Sequence, residues 1–167
     1  SNPYSQQWNL EVQRALPHDH YLKVAYVGSH TSRLPVGGDY NTALTPGPGA
    51  VAPRRLWPHA PVTDYDRSIG RSNYHGLQVK AEKRFSTGVS YLVSYTWSKS
   101  IDVASSGQFG VEGQSLQNPY DPNSSRSVSG FDVPHHFTTA LVYQLPFGAG
   151  RRWVTQGLAS RILGSWQ

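Results

Sequence analysis

Val89-Ser90-Tyr91-Leu92-Val93-Ser94-Tyr95-Thr96-Trp97-Ser98 is the stretch that decides the fold. Val89, Tyr91, Val93, Tyr95 and Trp97 occupy every second position, and Ser90, Leu92, Ser94, Thr96 and Ser98 fill the positions between. Alternate side chains of a β-strand point to opposite faces, so this stretch, continuing to about Ile101, reads as a strand with one large apolar face and one mostly polar face.

The same period recurs in four other places. From Gln6 to Leu16, Trp8, Leu10 and Val12 oppose Asn9, Glu11 and Gln13. From Tyr21 to Gly28, Leu22, Val24 and Tyr26 oppose Lys23 and Ala25. From Asn73 to Phe85, Leu77, Val79 and Ala81 oppose Gln78, Lys80 and Glu82. From His136 to Leu145, Phe137, Thr139, Leu141, Tyr143 and Leu145 oppose Thr138, Ala140, Val142 and Gln144. These runs approach the roughly 9–11 residues that cross a bilayer as a tilted strand, and exceed the common soluble strand of roughly 5–6.

The connections alternate in length. Pro17-His18-Asp19-His20 and Ser86-Thr87-Gly88 are tight, whereas Ser29 to Ser72 and Asp102 to Pro134 go far beyond the roughly 12–15 residues of an ordinary loop. Short turns on one rim and long loops on the other are the asymmetry of a bacterial outer-membrane barrel, with the short turns periplasmic. The expected fold is therefore all-β: an antiparallel up-and-down meander of about five to six long strands, forming part of a transmembrane β-barrel, with two long loops on one rim. That orientation sets Trp8, Tyr95, Trp97 and Phe137 near the long-loop rim and Phe85, Tyr91 and Tyr143 near the short-turn rim, giving two aromatic girdles. The same pattern also fits a soluble or surface-exposed all-β binding or structural module that self-assembles through open strand edges and packs its aromatics in a core. Past Leu145, Pro146 to Arg152 reads as a turn and Trp153 to Leu163 as a short amphipathic piece at the periplasmic interface. Ser165-Trp166-Gln167 reads as the start of a sixth strand.

Composition agrees with a chain that meets an apolar medium. Aromatics are 12% of 167 residues against 15% charged, and Tyr (10) and Trp (5) combine an apolar body with a polar tip. Half of every barrel strand is polar, so a negative mean hydropathy is compatible with crossing a membrane, and no run of 18 apolar residues forms a transmembrane helix. The absence of Cys excludes disulfides, zinc-thiolate sites and thiol nucleophiles. The net charge is +5, but Lys and Arg are scattered singly or in pairs, which is no footprint for nucleic acid.

No catalytic or metal site is expected, and no cofactor. His18-Asp19-His20 falls in a turn, and His135 and His136, being adjacent, point to opposite faces, so neither presents three convergent ligands. Asp64-Tyr65-Asp66 and Asn118 to Asn123 offer oxygens to calcium but lack EF-hand spacing, and Asx turns explain them better. No Gly-x-Ser-x-Gly elbow accompanies the Ser, His and Asp between Asp102 and His136. Thr45 to Gly49 lacks the Lys of a phosphate loop and reads as loop punctuation.

Several words occurring in order resemble the Oar-like TonB-dependent receptors: Asn2-Pro3-Tyr4-Ser5-Gln6-Gln7-Trp8-Asn9-Leu10, Val24-Ala25-Tyr26-Val27-Gly28-Ser29, Ser72-Asn73-Tyr74-His75-Gly76-Leu77-Gln78, Ser94 to Ser100 and Phe131-Asp132-Val133-Pro134-His135-His136-Phe137. Leu145-Pro146-Phe147-Gly148 and Gly164-Ser165-Trp166-Gln167 add to the match, which spans most of the chain except roughly Gly38 to Asp66. The resemblance implies a receptor in the cell outer membrane whose barrel surrounds a plug domain, with the inner-membrane protein TonB driving uptake of a bulky solute. Residues 1–167 read as a single barrel segment with no signal peptide, plug or TonB-contacting stretch. Five or six strands are also fewer than the about eight that close a barrel. The expectation is an internal segment, completed by the rest of a longer parent or by other copies of the chain, with lipid outside.

In that arrangement the lumen-facing candidates are Asn9, Glu11, Lys23, Gln78, Lys80, Glu82, Ser94 and Thr96. The ligand-facing loop candidates are Arg33, Tyr40, Arg54, Arg55, Trp57, Tyr65, Arg67, Tyr120 and Arg126, which supply donors and aromatic surfaces on adaptable loops.

Overall fold

The computed structural model describes residues 2–61, 63–103, 105, 116 and 118–146. Their regular structure is almost entirely β. β1 (Tyr4–Leu16), β2 (His20–Asp39), β3 (Asp64–Ser86), β4 (Val89–Asp102), β5 (Ser127–Val128) and β6 (His135–Tyr143) form one six-stranded sheet, accompanied by two 3-10 turns at Ala52–Arg54 and Pro122–Ser125. The order is β1-β2-β3-β4, after which both β5 and β6 pair with β4. The sequence expectation of an antiparallel meander holds. The amphipathic piece and sixth strand expected after Pro146 fall outside the described residues.

The tight turns form where local chemistry demands them. His18 and Asp19 (φ 62° and 63°) adopt left-handed backbone between β1 and β2, and Thr87 and Gly88 (φ 52° and 82°) do so between β3 and β4. Asp19, Thr87 and Gly88 are residue types or positions where a hairpin turn requires positive φ. Arg84 N donates to Asp19 O and Gln144 N to Gly88 O, which ties each turn to a neighbouring strand.

Both long connections contain more regular structure than their residue pattern implies. β2 continues to Asp39 and β3 begins at Asp64, so the irregular part is residues 40–63 rather than Ser29 to Ser72. The second connection carries β5 and a 3-10 turn. Backbone pairing sustains a strand with no apolar alternation, and Pro35, Gly37 and Gly38 had concealed this one. β2 also changes phase: Leu22, Val24 and Tyr26 are its exposed positions early on, whereas Arg33, Pro35 and Gly37 are exposed later and Val36 is buried. Arg33, itself already in the later phase, has φ 60°, a left-handed angle within the extended strand.

The chain divides into two compact units. The first (residues 1–9, 27–76 and 98–134) holds the long connections and an apolar cluster of Val36, Val103 and Leu116, with Tyr65 and Ile69 against it. Gly70 belongs to the packing there, because a Cβ on it would run into Leu34 and Val36. The second unit (residues 10–26, 77–97 and 135–167) holds the tight turns, and among its described residues only Ala25 is a buried apolar side chain. Its strands are laid out for two different surroundings. β4 and β6 pair from Val89↔Tyr143 to Trp97↔His135, so Val89, Tyr91, Val93 and Tyr95 share a face with Tyr143, Leu141, Thr139 and Phe137. Leu10, Val12, Leu22, Val24, Leu77 and Leu141 are all exposed.

Candidate functional site

The connection between β2 and β3 is folded on itself. Asp39 Oδ1 accepts from Asn41 N (2.8 Å) and Thr63 N (2.9 Å), so one carboxylate ties the outgoing and returning chain. The Thr63 hydrogen bond, with smaller help from Asn41 N and Arg55, outweighs partial burial and holds this carboxyl below its ordinary value of 3.8. Asn41 is fully buried. Its Nδ2 donates to Trp57 O (2.9 Å) and Ala60 O (3.4 Å), and its Oδ1 accepts from Trp57 N (3.1 Å). Arg54 donates to three carbonyls, those of Ala50, Thr45 and Gly49, so the Pro/Gly-rich turn wraps around its guanidinium. A bridge between Ala43 and Arg55 closes the base.

Tyr40 is the hub of an aromatic cluster in the same unit. Its ring lies 5.2 Å from Tyr120 and 5.9 Å from Tyr65, both edge-on, and 6.5 Å from Trp57. Tyr120 Oη donates to Tyr40 O (2.7 Å), which joins the two long connections directly. Burial pushes the Tyr65 hydroxyl above its ordinary value against the opposing charge of Arg67. Trp57 remains 47% exposed and carries the cluster to the surface.

Four of the nine loop candidates thus meet at one place: Tyr40, Trp57, Tyr65 and Tyr120. The others need correction. Arg33 and Arg67, like Tyr65 of the cluster, stand on strands, because β2 and β3 run beyond their alternating segments. Arg54 spends its donors inside the loop, Arg55 sits in the bridge, and Arg126 is exposed at the end of the second 3-10 turn. The connection is held together rather than adaptable. Asp39 and Asn41, which hold it, had no signal in the sequence beyond being turn-forming residues next to Gly37-Gly38. Of the calcium candidates, Asn118 to Asn123 forms Asx turns, Asn118 Oδ1 accepting from Tyr120 N and Asp121 Oδ1 from Asn123 N, whereas Asp64-Tyr65-Asp66 opens β3. Among the described residues no three His, Cys, Asp or Glu side chains gather as a metal site.

The polar face belongs to the second unit apart from Asn9. Lys23 pairs with Glu11 and Lys80 with Glu82 (3.1 Å), all partly exposed. Ser94 and Thr96 lie opposite Thr138 and His136, and Gln78 is half-buried. Tyr21 and Arg84 join this face, the guanidinium lying 4.8 Å from the ring centre, and alternation had singled out neither.

The aromatic candidates lie on the opposite, apolar face. Tyr95 stands across from Phe137, and its hydroxyl shares a 2.7 Å hydrogen bond with His135 Nδ1. Tyr91 Oη likewise meets His20 Nδ1 at 2.8 Å. In the first unit Trp8 lies flat on β2, where a Cβ on Gly28 would fall within its indole, and its ring is 6.1 Å from that of His75. Trp97, Phe85 and Tyr143 are exposed.

Apolar residues facing outward on strands of bilayer length, with no second layer among the described residues to cover them, call for lipid as the solvent of that face. The family described as "outer membrane beta barrel domain" matches residues 1–167 in full. The chain belongs to this family. It is an outer-membrane protein embedded through antiparallel strands and in contact with lipid. No protein of curated function and no solved structure matches it.

Proposed function

We propose that this outer-membrane barrel chain forms part of a receptor of the Oar-like TonB-dependent type, which meets a bulky solute at the long-connection rim and passes it inward. The observation that carries this reading is the aromatic cluster of Tyr40, Trp57, Tyr65 and Tyr120, drawn from the two long connections and the start of β3 and exposing Trp57. A rigid aromatic surface binds with little loss of conformational freedom. The polar face lines the lumen, where it meets a plug domain or the passing solute, and TonB supplies the drive. β1 and β6 are each paired on one side among the described residues. Because lipid cannot satisfy backbone groups, those edges are closed by further strands of the polypeptide or by other copies of the chain. This second arrangement keeps alive the reading of a module that assembles through its edges.

The orientation is tested in intact cells that carry the protein in their outer membrane. A membrane-impermeant thiol reagent should label Gly47→Cys from outside, whereas Thr87→Cys should stay protected until the outer membrane is broken. Labelling in the reverse order refutes the assignment of the solute-facing rim. Uptake is tested by dissipating the proton gradient, which should stop accumulation of the solute while leaving surface binding intact.

A further inference from the structure

On the polar face of the second unit, Gln13, Tyr21, Lys23, Lys80, Glu82 and Arg84 surround a hollow of about 200 Å³. Lys23, Lys80 and Arg84 bring positive charge to it, while Glu82 engages Lys80 and the neighbouring Glu11 engages Lys23. One positive charge is left in excess, and it belongs to Arg84. That guanidinium is stacked on Tyr21, a contact that uses its flat face and leaves its N–H edge available. Among the described residues no carboxylate lies within ion-pair distance of it.

We infer that this hollow is a subsite for an oxyanion, the carboxylate or phosphate group of a solute, gripped by the N–H edge of Arg84. The inference rests on the reading that the polar face lines the path of a solute. The fork of an Arg matches the two oxygens of a carboxylate or phosphate, and stacking on Tyr21 fixes the fork before the ligand arrives. Both lysine pairs are exposed by more than a third, so they are weak and screened, and each ammonium is able to turn from its glutamate toward an incoming anion. Gln13 adds an amide at the margin. A hollow of this size suits a small acid or the charged end of a larger molecule. A neutral or cationic ligand would leave the excess charge of Arg84 unanswered.

The test is calorimetric titration of the full chain in zwitterionic-detergent micelles at low salt, with succinate and inorganic phosphate as separate probes. Saturable binding of one probe per chain is expected. Succinate alone identifies a carboxylate site, phosphate alone a phosphate site, and both a general oxyanion site. Arg84→Gln should weaken binding roughly tenfold or more, Arg84→Lys less, because it keeps the charge and loses the fork, and Glu82→Gln should strengthen it by removing a competing carboxylate. Arg14→Gln removes an exposed cation of β1 that does not line the hollow and should change nothing. Failure of both probes to saturate, an equal loss in Arg14→Gln, or full affinity in Arg84→Gln overturns the subsite. If Arg84→Gln does not fold, Glu82→Gln decides, and unchanged or weaker binding there also overturns it. The cysteine labelling reads the loops and not this hollow. Correct labelling without probe binding removes the subsite alone, and reversed labelling with probe binding removes the orientation alone.

Discussion

Val93 and Ser94 are neighbours on β4 and both are half-buried, so exposure alone gives no reason for them to differ in tolerance of an added charge. The register separates them. Val93 lies opposite Thr139 on the apolar face and Ser94 opposite Thr138 on the polar face. The paired stretch on β6 is nine residues long, and Val93 is at the middle of its partner stretch. At about 3.4 Å per residue and a tilt near 40°, nine residues rise about 20–25 Å, close to the roughly 25 Å apolar band of such barrels. Val93 therefore sits about 10–12 Å from either interface, where an Arg facing lipid costs about 2–4 kcal/mol, partly relieved by snorkelling and local thinning of the bilayer. Ser94→Arg faces water and should stay within about 0.5–1 kcal/mol of the parent. Urea unfolding of the chain in phosphatidylcholine vesicles, followed by tryptophan emission, should show Val93→Arg less stable than Ser94→Arg by about 2–3 kcal/mol. Equal stabilities, or the reverse order, would refute the assignment of faces.

Asn41→Ala removes three buried hydrogen bonds and leaves Trp57 N–H and two carbonyls without their partner, so it should cost the connection about 2–3 kcal/mol and open residues 42–60 to limited proteolysis. The Asp39 carboxyl lies below its ordinary 3.8 when folded, so its stabilisation is complete above about that pH and is lost as pH falls through the folded value. Pepsin resistance of the same connection should therefore fall only in strong acid, and Asp39→Asn should be weaker at neutral pH and lose that dependence. Gly28→Val should push the Trp8 indole off the sheet, at about 1–3 kcal/mol, with a shift in tryptophan emission and near-ultraviolet circular dichroism. An unchanged spectrum would show that Trp8 does not rest on Gly28.

Alternation of side-chain size was enough to reveal the meander, the tight turns and the two faces of each strand, because period two is a local property of extended backbone that each segment carries by itself. The shared face of Tyr91, Val93 and Tyr95 with Leu141, Thr139 and Phe137 follows for the same reason. Where alternation stops, so did legibility: the outer parts of β2 and β3 are held by pairing between strands, and the phase change within β2 is announced by no residue pattern. The roles of the loop residues were likewise out of reach. Arg54 read as a ligand contact, but it serves its own loop, and Asp39 and Asn41 matter through partners some sixteen to twenty-four residues away. The meeting of Tyr40 with Tyr120, eighty residues apart, and the stacking of Arg84 on Tyr21 are decided by which strands lie side by side. A sequence determines which faces a strand has, since that needs only its own residues, whereas which side chains share a site depends on register and loop closure, and these exist only once the strands have paired.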